Sequence, residues 1–300
     1  MSRPLGLLLG YAADRAFGDP RRFHPVAGFG RTAAGLERRT YADSRLAGAL
    51  HVVVLVGGTA LLGSRAHGTL ATAVATWTVL GGTSLDRESA TVQALLTDGR
   101  LVDARQRLTH LVGRDTSVLD APGVARAVVE SVAENTSDAV VAPLVWGALA
   151  GVPGLLGYRA ANTLDAMIGY HSERYEQFGW AAARLDDVLN LPGARLTAAL
   201  AVLLGDDRAG AVRAWRRDAA AHPSPNAGPV EAAFAGALGL RLGGETVYPG
   251  RVEQRPVLGD GTVPGVHDVT RARSLARRVG LAAALLTAAC SATRALRRRH

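Results

Sequence analysis

The chain has a single cysteine, Cys290, in 300 residues. A lone thiol excludes a disulfide framework and a thiolate zinc site, and it suits a reducing or redox-indifferent setting. Aromatic residues make up only 5%, and they do not interleave with the basic residues. The stacking platform of a nucleic-acid binder is therefore missing, and no nucleic-acid partner is expected. Also missing are a GxxxxGK[ST] phosphate loop, a GxGxxG between strand and helix, an HExxH helix and a GxSxG elbow, so any ATP is held outside a Walker-type site. Alternating β-branched runs are rare outside the apolar stretches, and no sheet is expected.

What is present is apolar residues at 48%, charged residues at 20% and 35 glycines, enough to bury a core. GxxxG spacings at Gly6/Gly10 and Gly147/Gly151 are those by which membrane helices approach closely, although a glycine-rich chain also produces them by chance. The net charge of +8 comes from arginine gathered at 15–45, 100–114, 213–217 and 294–299, as in the cytoplasmic loops of membrane proteins. An apolar piece at 4–13 is followed by Asp14, Arg15 and Asp19 where a removable signal peptide has a small-residue cleavage site, so it is not read as one.

Two charge-free stretches, 46–64 and 66–85, are each about long enough to cross a bilayer, and a turn at Arg65 makes them a hairpin. A third, 139–158, is interrupted by Pro143 and Pro153; 196–205 and 279–293 are marginal for spanning. Parity of crossings against the positive-inside tendency favours one non-spanning or re-entrant segment, with the two prolines marking the place. Helical periodicity covers 86–110 and 122–138, and 241–265, rich in Gly and Pro, reads as a loop or irregular excursion. The expected architecture is all-α: one multi-pass integral membrane domain over 1–300, with polar helices and loops on one side.

The chemistry-bearing residues begin with Glu130, Glu134 and Asp138, spaced i, i+4 and i+8 ahead of the third apolar stretch. On a regular helix they share one face, and such like charges repel unless a cation binds them or a pKa shifts. A solvated acidic face has the same spacing. Asn135-Thr-Ser-Asp138 and Asn162-Thr-Leu-Asp165 repeat one pattern, and ARLDDVLN adds Arg184, Asp186, Asp187 and Asn190. Such hard oxygen donors suit Mg²⁺ with substrate phosphate, or equally ion pairs and helix caps. The loop from His222 through Ser224 and Asn226 to Gly228 precedes a helical pattern whose start offers free N–H groups for phosphate or carboxylate, or is ordinary capping. An earlier loop offers Asp19, His24 and Arg31.

Taken in order, the runs GDPRRFHPV, GRDTSVLD, ESVAENTSDAVVAP, YRAANTLDAMIGY, RYEQFGWAAARLDDVLN and HPSPNAGPVEAAFAGALGLRLGG resemble the adenosylcobinamide-phosphate synthases of cobalamin biosynthesis, the CobD/CbiB family, over nearly the whole chain. One local departure is LPGARLTA, where the family reads closer to a Pro-Ala-Arg turn. The resemblance implies a multi-pass cell-membrane ligase that joins a propionate carboxylate of adenosylcobyric acid to aminopropanol or its O-phosphate. ATP is the implied cosubstrate and Mg²⁺ the implied metal; membrane lipid and other corrin-pathway enzymes are implied as partners, and the active site as facing the cytoplasm. The resemblance identifies the motifs without assigning roles; from the chemistry of that reaction Glu130, Glu134, Asp138, Asp165 and Asp187 are expected as catalytic groups and Glu134, Asn135 and Asp138 as metal ligands. Arg114, Asn162, Arg184, His222, Ser224 and Asn226 are directed to substrate and phosphate. Two rival readings are an intramembrane Mg-dependent prenyltransferase, which the NTxD pair matches loosely, and a non-catalytic transporter or scaffold for corrin enzymes.

Overall fold

Alanine, leucine and arginine, strong helix formers, fill the stretches between glycine and proline breaks. The computed structural model, which describes residues 2–19, 24–170, 172–248 and 251–297, is accordingly mostly helical. Outside the described residues lie 20–23 of the GDPRRFHPV run, 249–250 of the 241–265 stretch and 298–300 of the basic tail. In chain order the elements are α1 Ser2–Phe17, α2 Pro25–Thr40, α3 Arg45–Gly63, α4 Gly68–Val79, α5 Gly82–Thr97, α6 Leu101–Leu108 and α7 Ala121–Thr136. A π-helical turn, Ser137–Val141, leads into α8 Ala142–Ala150, α9 Val152–Ile168, α10 Trp180–Leu204 and α11 Arg208–Asp218. After a 3₁₀ turn, Ala219–Ala221, come α12 Ala227–Leu238, β1 Leu242–Tyr248, β2 Arg251–Leu258 and α13 Val266–Arg297.

Where the sequence marks no boundary, the structure has two compact units. The first comprises residues 1–81, 138–193 and 283–300; the second comprises 82–137 and 194–282. In the first, α1 packs on α4 and α3 on α9, around a core that includes Val52, Leu55, Leu164, Ile168 and Phe178. A Cβ at Gly6 or Gly10 would overlap Thr72 or Thr76, so this GxxxG pair does set a close helix crossing. In the second, α12 packs on α7 and α11, and α5 on α6 and α7. Every residue of α12 is buried, and the helix stops at Gly239, whose φ of 65° suits a residue without Cβ.

Three helices among the described residues are long and apolar enough to cross a membrane: Arg45–Gly63, Trp180–Leu204 and Val266–Arg294. Exposed Leu46, Leu50, Val53, Leu61 and Leu62 on α3 and Leu281, Leu285 and Leu286 on α13 form apolar faces that point to membrane association. This revises the expected spans. Only the first, 46–64, coincides with one of the three; 66–85 is cut at Leu80 and Gly81 into α4 and α5, and 139–158 is cut at Gly151, whose φ of 71° ends α8. The marginal stretches 196–205 and 279–293 are instead parts of long helices. Helix α10 continues through Pro192, so LPGARLTA is helical and not a turn.

The all-α expectation is corrected at 241–265. β1 and β2 form an antiparallel two-stranded sheet, Tyr248 opposite Arg251 and Glu245 opposite Gln254. The register slips between Leu242 and Gly244. There the chain bulges at Gly243, with φ of 80°, and a bulge re-aims backbone groups away from the ladder.

Candidate active site

Two polar clusters stand out, one in each unit. The second unit's begins on α7, where Asp120 caps the start by accepting from the Gly123 N–H and Pro122 takes the first turn. Glu130, a little over two turns along, is 4% exposed. Its Oε2 lies 2.7 Å from Arg114 Nη1, and its Oε1 accepts the Gly243 N–H at 2.9 Å. Arg126, one turn earlier on α7, donates to the carbonyls of Gly243 and Glu245. The bulge thus supplies both a donor to the buried carboxylate and an acceptor for its neighbouring guanidinium.

Two further carboxyls act on this pair. Glu134 is open to solvent, while loss of hydration among its neighbours raises its pKa, with Glu130 adding to the rise and Arg255 and Arg114 opposing it. Glu231, on α12, is 3% exposed. Its pKa is raised well above the usual carboxylate value, first by burial and then by Glu130 and Glu134, against Arg255 and Arg114. Arg255, on β2, donates to the Tyr248 hydroxyl at 2.6 Å. His222 completes the cluster: its Nδ1 accepts the Ser224 N–H at 3.1 Å, which assigns the neutral ring's proton to Nε2. That Nε2 is buried without a hydrogen-bond partner, 4.0 Å from Glu231 Oε1. Burial and the Arg255 charge lower the His222 pKa.

The first unit's cluster is built differently. Asp186 on α10 accepts from Asn190 Nδ2 at 2.8 Å and Asn162 Nδ2 at 3.3 Å. Arg159 donates to Asn162 Oδ1 at 3.2 Å, and the Tyr158 hydroxyl lies 2.6 Å from Asn190 Oδ1 and 2.9 Å from the Asp138 carbonyl. Asp165 is near enough to repel Asp186 electrostatically. Asp187 lies beside these and pairs with Arg184 at 3.7 Å, i to i+3.

Several expectations change. The π turn at Ser137–Val141 departs from the regular helical phase, so the regular helix carries Glu130 and Glu134 one turn apart while Asp138 lies beyond it. Glu134 and Asn135 belong to the second unit and Asp138 to the first. Asn135 Nδ2 donates to the Ser131 carbonyl at 3.0 Å. Among the described residues no group of three or more His, Cys, Asp or Glu side chains is placed to hold a metal ion, and Glu130 is already taken by Arg114 and Gly243. Glu134, Asn135 and Asp138 offer two carboxylates and an amide, a set that would suit Mg²⁺ only with phosphate and water completing its shell. At the start of α12 the N–H groups of Asn226 and Ala227 are capped by Ser224 Oγ at 3.2 and 3.1 Å, so they are not free for phosphate. Asn226 accepts from Arg195 at 3.1 Å. The earlier loop keeps Asp19 and His24 4.0 Å apart, with His24 Nδ1 capping α2 through the Val26 N–H.

Sequence reasoning missed Arg126, Arg255, Tyr158 and the role of Glu231. The last had a signal: it is the sole charge in PVEAAFAGALGL, and a lone carboxylate inside an apolar helix calls for a partner. Arg255 had none, because the 241–265 stretch reads as a loop.

Known proteins agree with this picture at the level of family. A family model described as "CobD/Cbib protein" matches residues 7–276. The chain is 56% identical over 296 residues, 95% of each chain, to "Cobalamin biosynthesis protein CobD" of Mycobacterium tuberculosis (strain ATCC 25618 / H37Rv). It is 44% identical over 310 residues, 96% of this chain and 98% of the relative, to the protein of that name from Chromobacterium violaceum. With the Rhodobacter capsulatus protein of the same name it shares 43% identity over 286 residues, 90% and 91% of the two chains. No solved structure matches the chain. With matches over nearly its whole length, the chain belongs to the CobD/CbiB family of cobalamin biosynthesis.

Proposed function

We propose that the protein is a membrane ligase that joins a propionate carboxylate of adenosylcobyric acid to aminopropanol or its O-phosphate, with ATP as cosubstrate and Mg²⁺ as the accompanying metal. The observation that carries the reading is the second unit's cluster: Glu130, Glu134 and Glu231 set against Arg114, Arg126 and Arg255. Amide formation in water needs the carboxylate activated, naturally as an acyl phosphate, and an amine freed of its proton. The first half creates negative charge that fixed guanidinium groups stabilise; the second needs a base. Arg114 and Arg255 suit the one, and the glutamates with raised pKa suit the other.

Mg²⁺ in this reading arrives on phosphate oxygens, since it accepts one or two carboxylates with the rest from phosphate and water; no step is assigned to it. Of Glu134, Asn135 and Asp138, Glu134 is the ligand we favour, because it is open to solvent and Glu130 is not. Asp138, Asp165 and Asp187, with Asn162 and Arg184, are proposed to serve activation from the first unit's cluster. His222 serves the amine substrate, while Ser224 and Asn226 shape its loop. The cell membrane as location, more than one crossing and a cytoplasm-facing site belong to the same proposal, supported by the three apolar helices and the arginine-rich loops.

The test is mass spectrometry of products after incubating the protein with adenosylcobyric acid, ATP, Mg²⁺ and each amine in turn. An amide product that requires ATP is expected. Its absence with both amines, together with corrinoid flux in vesicles holding the protein, would instead favour a transporter.

A further inference from the structure

We infer that the groove between the end of α10 and α11 is a site for an anionic phospholipid, with an acyl chain lying in the groove and the phosphate held by Arg208 and Arg216. It rests on the membrane location proposed above and adds a named lipid contact to it.

Three observations carry it. First, α11 packs on α12 through small residues: Gly210, Ala211 and Ala214 are buried, and a Cβ at Gly236 would overlap the Gly210 carbonyl. Its larger side chains are turned elsewhere. Val212, Trp215 and Arg216, with Ala199, Val202 and Leu203 of α10, line a groove of about 530 Å³, a volume of ligand-pocket size. Leu203 is 54% exposed, so the apolar wall of the groove is open on the outside of the fold.

Second, α10 is one of three helices among the described residues long and apolar enough to cross a membrane, and the groove lies toward its C-terminal end. Helix α11 starts at Arg208, just past the end of α10 at Leu204. A short basic helix in that place, with a tryptophan turned to the groove, stands where headgroups meet acyl chains.

Third, the arginines of α11 divide by face. Arg213 pairs with Asp207 at 3.8 Å, and Arg217 with Asp218 at 2.6 Å and Asp260 at 3.0 Å. Arg208 and Arg216 share the face of Val212 and Trp215, at i, i+4, i+7 and i+8. Both are exposed and have no ion pair among the described residues. The neighbouring Asp206 is engaged by Arg271 and Arg278 at 3.4 and 3.6 Å. A free phosphate would leave the apolar slot empty, and a neutral lipid would leave the two cations unmet. An anionic phospholipid satisfies both, its chain along the slot and the arginine stems, its phosphate at the guanidinium heads.

The experiment reads Trp215 in the full-length protein reconstituted in phosphatidylcholine vesicles, its emission taken as the difference between the parent and Trp215→Phe. Brominated acyl chains quench a tryptophan they touch. Brominated phosphatidylglycerol is expected to quench Trp215 at mole fractions about tenfold lower than brominated phosphatidylcholine, since each arginine at a membrane surface favours anionic lipid by about fivefold. Arg216→Gln should lower that preference about fivefold, and Arg208→Gln with Arg216→Gln should abolish it. Arg213→Gln, which removes the same charge from the paired face, should keep it within about twofold. Equal quenching by the two lipids in the parent, or equal loss in Arg213→Gln and Arg216→Gln, would overturn the site. So would a Trp215 that no brominated chain quenches in inserted protein, which would place the groove in water as a surface for a protein partner. If Trp215→Phe does not fold, thermal unfolding in detergent decides. Added phosphatidylglycerol should raise the Tm of the parent and of Arg213→Gln but not of the double arginine variant, and equal rises overturn the site. Release of the parent protein from vesicles by alkaline carbonate would strike the membrane location itself, and this site with it.

Discussion

The protein holds two polar clusters made from similar residues by opposite strategies. In the second unit, carboxylates face guanidinium groups, and Glu231 and Glu134 are left with cations already engaged elsewhere, Arg114 by Glu130 and Arg255 by Tyr248. In the first unit, Asp186 is held by the neutral amides of Asn162 and Asn190, which Tyr158 and Arg159 hold in turn. Amide donors fix the direction of a carboxylate without cancelling its charge. Opposed ions respond strongly when a further charge enters or leaves. The first unit's arrangement suits holding geometry, and the second's suits chemistry in which a charge changes. If so, substitutions in the two clusters should separate stability from turnover.

The largest effect is expected at the Glu130–Arg114 pair. Glu130→Ala leaves a buried guanidinium unpaired, which costs about 3–5 kcal/mol; Glu130→Ala with Arg114→Met should cost clearly less, by thermal unfolding in detergent. A double variant no better than the single one would mean the pair is not coupled as drawn. Next in size come single changes in each cluster. Glu134→Gln and Asp138→Asn should each reduce amide formation by about 100-fold or more while the protein still inserts into membrane, the scale of a lost acid–base or phosphate-positioning group. Near-parental turnover by Asp138→Asn with loss by Glu134→Gln would confine the chemistry to the second unit.

How legible this was depended on whether a residue's role is local. The i, i+3 and i, i+4 spacings of Arg184 with Asp187 and Asp186 with Asn190 fall on one helix, and both pairs form. Pro122 at the start of α7 and the span at α3 follow likewise from short-range pattern. What failed was non-local. The π turn after Thr136 lies in an Asn-Thr-Ser-Asp run whose side chains compete for backbone hydrogen bonds, and it leaves Asp138 outside the regular helix that carries Glu130 and Glu134. The pairing of Glu130 with Gly243 links positions far apart in sequence, and no periodicity reports it. The sheet was hidden because Pro256 and glycines at 243 and 244 read as breakers, although a bulge accommodates the glycine at 243.

A smaller effect tests the first unit. Asp186→Ala removes the acceptor for the buried Asn190 amide and the half-buried Asn162 amide, costing about 1–3 kcal/mol for the buried donor left unsatisfied; denaturation should show this, and turnover per folded molecule should fall less than in Glu134→Gln. The pH dependence of stability tests the second. Glu231 has a raised pKa when folded, so the folded chain keeps its proton longer than the unfolded one; the stability this gives is complete below the ordinary value of 4.5 and is lost as pH rises through the folded pKa. His222 has the opposite sign, losing stability as pH falls below 6.5. Substrate-free Glu231→Gln should therefore gain Tm relative to the parent as pH rises from 5 to about 8, and parallel curves would mean that Glu231 is not under the stress described.

The smallest expected effect is at Arg184, and it sharpens the comparison most cleanly. Its side chain is 68% exposed and its contact with Asp187 is long, at 3.7 Å, so Arg184→Ala should change stability by only about 0–1 kcal/mol. If the residue contacts phosphate as proposed, KM for ATP or for the phosphorylated amine should rise severalfold with no shift in Tm. A change in Tm without a change in KM would make Arg184 a surface partner of Asp187 only. The first unit would then hold geometry and contribute no phosphate contact through this residue, leaving Arg114 and Arg255 of the second unit as the cations for the transferring group.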